Sequence, residues 1–241
     1  MLIPPLFLKT NNKGAIIMAY TFSTVTASNG VKLYAIKTSP KEVYIKWIGP
    51  SSVPAQSTYG VNGGFFEGSR LLQIAVNNGN TVAPTGQGTG GSENVSHARG
   101  TLVWDAKYEE LSVQVVKTTS ELALGNRNSY WAQGGISLKL SSSESVWRTQ
   151  ANKENIQNPD GGACRTAAVY NNTKNLWLVV TDTKTTAAKF RAAILEKIGS
   201  GTLVDGIMLD GSGSSQYKVA EGSYSGSDST PRPVYQMMAL R

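Results

Sequence analysis

Between residues 31 and 240 the chain carries eleven short runs in which apolar or β-branched residues alternate or cluster. They are "VKLYAIKT" (31–38), "EVYIKWIG" (42–49), "LLQIAV" (71–76), "TLVW" (101–104), "ELSVQVV" (110–116), "GGISLKL" (134–140), "RTAAVY" (165–170), "NLWLVVTD" (175–182), "GIMLD" (206–210), "SQYKVA" (215–220) and "VYQMMAL" (234–240). Gly, Asn and Ser separate them, as turns separate strands, and "YNNTKN" (170–175) suits a hairpin. One segment alone has a convincing helical period. "TTAAKFRAAILEKIG" (185–199) puts Phe190, Ile194 and Ile198 on one face, with Thr185 or Thr186 as N-cap and Gly199 at the stop. Many strands and few helices specify an α+β class built on a strand-rich mixed sheet.

That helix lies between two apolar strands, so residues 175–210 form a strand–helix–strand unit. Short links favour a right-handed parallel crossover. Asp182 and Asp210, which end the two strands, then emerge at one edge of the sheet, where α/β proteins tend to place ligands.

The length of 241 residues suffices for one large domain, and no repeat of fixed period is visible. Three stretches, 77–94, 141–162 and 221–231, are rich in Gly, Asn and Ser and read as mobile loops, the kind that serve as lids. The net charge of +7 is dispersed, without a basic block, zinc-finger spacing or recognition helix, which argues against a nucleic-acid module. No later segment is apolar enough to span a membrane.

The single cysteine, Cys164, excludes an intramolecular disulfide and fits a reducing compartment. As a nucleophile it would need the only histidine, His97, beside it; a small buried side chain is the simpler expectation.

The opening "MLIPPLFLKTNNKGAIIMAYTF" imitates a signal peptide poorly, since two prolines break the apolar run and no basic start precedes it. "NKGA" can be encoded with AAAGGAG, a bacterial ribosome-binding sequence, shortly before the codon of Met18. Residues 1–17 are therefore expected to be a leader, and 18–241 a single domain of a bacterial or phage protein acting in the cytoplasm.

Four motifs carry possible chemistry. "YGVNGGFFEGS" (59–69) is either a strand ending in a β-bulge or a turn whose Gly63 and Gly64 admit a ligand held by the Asn62 amide. "GGACRTAAV" (161–169) places Arg165 at the entry to an apolar strand. It is either solvated there or an anion clamp, because the guanidinium fork matches phosphate oxygens. Arg232 stands between two prolines in "STPRPVYQMMAL" (229–240), and so is held rather than free. "LDGSGSSQ" (209–216) lacks the lysine of a P-loop, yet its small residues can present backbone N–H groups to an anion. Asp210 there either works on a ligand or only orients the loop.

The order of these motifs is more specific than any one of them. "GVNGGFF", "YWAQGGISLKL", "CRTAAVYNNTKNLWLVVTD", the helix, "GIMLDGSGSSQ" and "RPVYQMMAL" together resemble the phosphodiester glycosidase family over about residues 55–241. The family's best-known member removes N-acetylglucosamine from a mannose phosphodiester. By motif, the resemblance implies a pocket of Asn62, Gly63, Gly64, Arg165, Asp182, Asp210, Gly211, Gly213, Ser214, Ser215 and Arg232, and implies no cofactor or metal. The chain departs from the pattern at Ser212, where the family has the middle glycine of Asp-Gly-Gly-Gly-Ser-Ser. It departs again at Val169, where a glycine is usual, and in a shorter link after Asp182.

The implied reaction is hydrolysis of the C1–O bond of a sugar 1-phosphodiester, on a small-molecule or glycan substrate. Ordinary glycosidases protonate a poor alkoxide leaving group. A phosphate departs as an anion, so Arg165 and Arg232 can supply that assistance. Asp210 is the first candidate to stabilise or attack the sugar or to activate water, and Asp182 the second. Two alternatives share the same residues. One is a non-catalytic module that sequesters a phosphorylated glycan or nucleotide. The other is a phosphodiesterase that cuts P–O, against which a single histidine counts, since a two-metal site needs more ligands.

Overall fold

The computed structural model describes residues 9–10, 16–17, 20–86, 88–226 and 232–241. The expected start at Met18 lies outside the described residues; of the expected leader only Lys9–Thr10 and Ile16–Ile17 are described, as an antiparallel pair. Three larger sheets make up the body. The largest has six strands in the order Ile136–Ser137, Leu203–Met208, Ala163–Asn171, Leu176–Thr185, Lys32–Thr38 and Tyr20–Thr26. A five-stranded sheet runs Gly222–Tyr224, Tyr217–Val219, Gly60–Asn62, Val234–Leu240 and Val43–Ser51. The other runs Asn80–Thr81, Ala75–Asn77, Tyr130–Gly134, Arg99–Asp105 and Glu110–Val116.

The helix expected at 185–199 is present as α2 (Ala187–Lys197), capped by the Thr186 hydroxyl, which accepts from Lys189 N at 3.2 Å. Its crossover needs one correction. Leu176–Thr185 and Leu203–Met208 do run in the same direction, but they are not neighbours. Ala163–Asn171 lies between them and is antiparallel to both. Each therefore gains a full antiparallel ladder. Asp182 and Asp210 still reach the same edge.

The six-stranded sheet is covered on both faces. Leu33, Ala35, Ala167, Val169 and Val179 pack under Phe190 and Ile194 of α2, with Trp147 and Ala151 of a second helix, α1 (Glu144–Lys153). On the other face Ile36, Leu178, Val180 and Ile207 meet Val43, Ile45, Val61 and Met238 of one sheet and Leu102 and Trp131 of the other. A sheet buried on both sides explains why its central strands are continuous apolar runs rather than strict alternations.

α1 falls where a mobile loop was expected. Its polar surface hides the pattern, but Ser143 caps it and Trp147 and Ala151, four apart, enter the core. The 77–94 stretch is also tied down, by the Asn80–Thr81 hairpin and by buried Asn94, whose side chain bonds Ile74 N, Thr101 and Val116. In 221–231, Gly222–Tyr224 is a strand; residues 227–231 lie outside the described residues. Among the described residues no helix is long and apolar enough to cross a membrane.

Candidate active site

The loop that follows Leu203–Met208 is anchored from two directions. Leu209 N donates to Thr166 O at 2.8 Å and Asp210 N to Gly63 O at 3.1 Å. These bonds tie the end of the six-stranded sheet to the Asn62–Gly64 turn of a five-stranded one. Asn62 is the bracket between them. Its Nδ2 donates to Asp210 O at 2.9 Å and Gly63 O at 3.2 Å, while its Oδ1 accepts from the Thr166 hydroxyl at 2.8 Å and Gln216 N at 3.0 Å. Both ends of this buried amide are therefore engaged within the protein.

The glycine pair has an internal neighbour as well. A Cβ on Gly63 would stand 2.5 Å from Gln236 Cδ, and one on Gly64 would stand 2.3 Å from Gln73 Oε1. The turn thus needs glycine to close over buried glutamines. Gly211 is constrained by a backbone approach, since its Cβ would lie 2.9 Å from Cys164 O. Gly213, Ser214 and Ser215 are buried, and the Ser215 Oγ lies 3.1 Å from the Thr166 hydroxyl, whose single proton goes to Asn62.

Asp210, Gly211 and Ser212 form one wall of a cavity of about 110 Å³, which Phe65, Ile136, Met208, Arg165, Asn158 and Arg232 also line. Asp210 is only partly exposed there. Burial raises its pKa from 3.8 to about 6, against the opposing pull of the Ser214 side chain, Arg232 and the Gly211 N–H. A carboxylate so poised exchanges a proton near neutral pH, as a general acid or base must.

The two arginines differ. Arg232 is exposed, with its guanidinium over the Phe66 ring, Cζ 5.2 Å from the centroid. Its backbone is held by Gln216 Nε2, which donates to Arg232 O at 2.7 Å. Arg165 is buried. Its Nε donates to Thr185 O at 3.0 Å, and Nη2 to Asn158 O at 2.8 Å and Gly161 O at 2.9 Å. Among the described residues only Nη1, 3.9 Å from Met208 Sδ, has no oxygen partner. Arg165 therefore ties the 158–161 loop to the sheet and presents one edge to the cavity, whereas the Arg232 guanidinium makes no hydrogen bond among the described residues.

Asp182 is not among the residues lining this cavity. Its Oδ2 accepts from the Tyr34 hydroxyl at 2.6 Å, and its carbonyl lies 3.4 Å from Cys164 Sγ. Lys32 Nζ lies 4.8 Å from the centroid of the Tyr34 ring. Cys164 is buried against Asp182 and Tyr224, with no bond to His97 among the described residues, so no cysteine–histidine pair forms.

Sequence reasoning missed Thr166, Gln216 and Tyr34. Thr166 and Gln216 are polar residues flanking motif positions, at 166 after Arg165 and at 216 after Ser215, and that adjacency was the available signal. Tyr34 belongs to a distant hairpin and left none.

A family model described as phosphodiester glycosidase matches residues 55–241. No curated protein matches the chain. Among solved structures, the catalytic domain of zebrafish N-acetylglucosamine-1-phosphodiester alpha-N-acetylglucosaminidase, described as auto-inhibited by its pro-peptide, is similar at a TM-score of 0.66. It shares 15% identity, covering 99% of this chain and 84% of that one. At that identity the likeness is one of fold. A hypothetical protein from Synechocystis aligns with a TM-score of 0.44 and 10% identity, over 92% of this chain and 62% of that one.

Proposed function

Since the chain belongs to the phosphodiester glycosidase family, we propose that it hydrolyses the C1–O bond of a sugar 1-phosphodiester, releasing the sugar and a phosphomonoester. One observation carries the reading: a carboxyl group with its pKa raised to about 6 lines the same cavity as two arginines.

In this scheme the phosphodiester lies toward Arg232 and the free edge of Arg165. As the C1–O bond lengthens, negative charge grows on the bridging oxygen, and the guanidinium of Arg232 stabilises it where it forms. No strong acid is needed, because the leaving group is already an anion. Above pH 6 Asp210 is ionised. It takes a proton from the water that attacks C1, so the water oxygen becomes the sugar's anomeric hydroxyl. The proton balance closes when the released phosphomonoester or solvent takes up that proton. Asp182, at the same sheet edge but outside the cavity and held by the Tyr34 hydroxyl, is the second carboxylate near the site and has no step in this scheme.

The zebrafish enzyme's name makes N-acetylglucosamine the first sugar to try. The test is release of N-acetylglucosamine from its 1-phosphate methyl diester, by the wild type and by Asp210→Asn. The wild type should turn the diester over and the variant should lose about a hundredfold or more, the usual weight of a general base. Full activity in Asp210→Asn would remove the aspartate from the mechanism.

A further inference from the structure

Ser212, two residues after Asp210 in the loop, carries a conformational cost. Its φ is +56°, in the left-handed region where a Cβ is unfavourable. Other non-glycine residues share that region, but Ser212 and Asn158 alone among them line the cavity. Asn is the residue best able to tolerate such a φ; serine has less excuse. The Ser212 side chain is exposed, and its hydroxyl makes no hydrogen bond among the described residues. Glycine would fit the backbone better, and nothing inside the protein uses the hydroxyl. Strain of this kind persists where a function holds it.

Resting on the proposed phosphodiester reading, we infer that Ser212 is a specificity-determining residue whose hydroxyl hydrogen-bonds an oxygen of the bound sugar phosphate. The loop places it two residues from Asp210, lining the same cavity as Arg232, and like Arg232 it is exposed. It adds to the cavity a neutral group that both donates and accepts, which a glycine at this position lacks. A site using it prefers a substrate with an oxygen at that spot and discriminates against one without.

Two variants separate strain from contact. Ser212→Gly removes both the strain and the hydroxyl, whereas Ser212→Ala removes the hydroxyl and keeps the strain. Thermal unfolding, kcat/KM on the N-acetylglucosamine 1-phosphate methyl diester, and calorimetric binding of N-acetylglucosamine 1-phosphate are measured for each. Ser212→Gly should raise Tm by about 2–4 °C and lower kcat/KM and binding about tenfold. Ser212→Ala should lower both about tenfold with Tm unchanged. If Ser212→Gly gains stability while turnover and binding stay at the wild-type level, the strain is merely tolerated and the inference is overturned. If the wild type binds the sugar phosphate but does not turn the diester over, the hydrolase reading fails. A tenfold loss of binding in both variants then still supports the contact. Absence of binding by the wild type, with no turnover, overturns both.

Discussion

At the scale of single residues, the account rests on Asp210 and Arg232. Asp210 acts as a base only when ionised, so kcat/KM should rise with pH through an apparent pKa near 6 and then level. A limb near pH 4 would mean that the carboxylate is solvated, and would contradict this role for a buried Asp210. The same shift has a consequence for stability. An acid with a folded pKa above its unfolded value of 3.8 binds its proton more tightly when folded, so its contribution declines as pH rises from about 4 to about 6. Asp210→Asn should therefore raise stability at pH 7, by at most about 3 kcal/mol, even as it lowers turnover; denaturant unfolding at pH 4 and 7 checks the sign. The arginines should separate in the same experiments. Arg232→Lys loses the fork and should cut kcat/KM about tenfold with folding unchanged. Arg165→Lys breaks three bonds to backbone carbonyls and should cost about 2–4 kcal/mol of stability as well. Equal stability in both variants would contradict the structural share assigned to Arg165.

At the scale of elements, the site depends on one side chain joining two sheets. Asn62→Ala removes the bracket and leaves Asp210 O, Gln216 N and the Thr166 hydroxyl short of partners. It should cost about 2–4 kcal/mol in chemical denaturation and lower kcat through a looser loop; an unperturbed midpoint would show the bracket to be dispensable. Much of this level was legible in the sequence. The central strands and α2 follow from apolar runs and a single amphipathic period, which local sequence encodes directly. The insertion of Ala163–Asn171 between the strands flanking α2 was not legible, because strand order depends on non-local pairing that periodicity does not carry. α1 was hidden because only Trp147 and Ala151 of its length are buried. Tyr20–Thr26 and Tyr130–Gly134 were missed as strands, the first at the edge of its sheet with exposed Thr and Ser, the second a short buried run with no alternation.

At the scale of the whole molecule, three sheets and two helices converge so that motif residues far apart in the chain meet at one edge of the six-stranded sheet. The motif order made Asp210, Gly211, Arg165 and Arg232 legible as a group, and all four line one cavity. It could not tell a ligand contact from a support. Asn62, Gly63 and Gly64 act on the loop from behind, and that distinction lies in hydrogen-bond partners, not in residue type. The central claim remains that water adds to the sugar and not to phosphorus, because Asp210 serves the carbon and Arg232 the departing phosphate. Hydrolysis of the N-acetylglucosamine 1-phosphate methyl diester in oxygen-18 water, read by mass spectrometry, tests it most directly. The account predicts methyl phosphate free of label, the water oxygen having gone to the sugar; because a free anomeric hydroxyl exchanges with water the phosphate is the readout, and label in the methyl phosphate, from cleavage of the P–O bond, would contradict it.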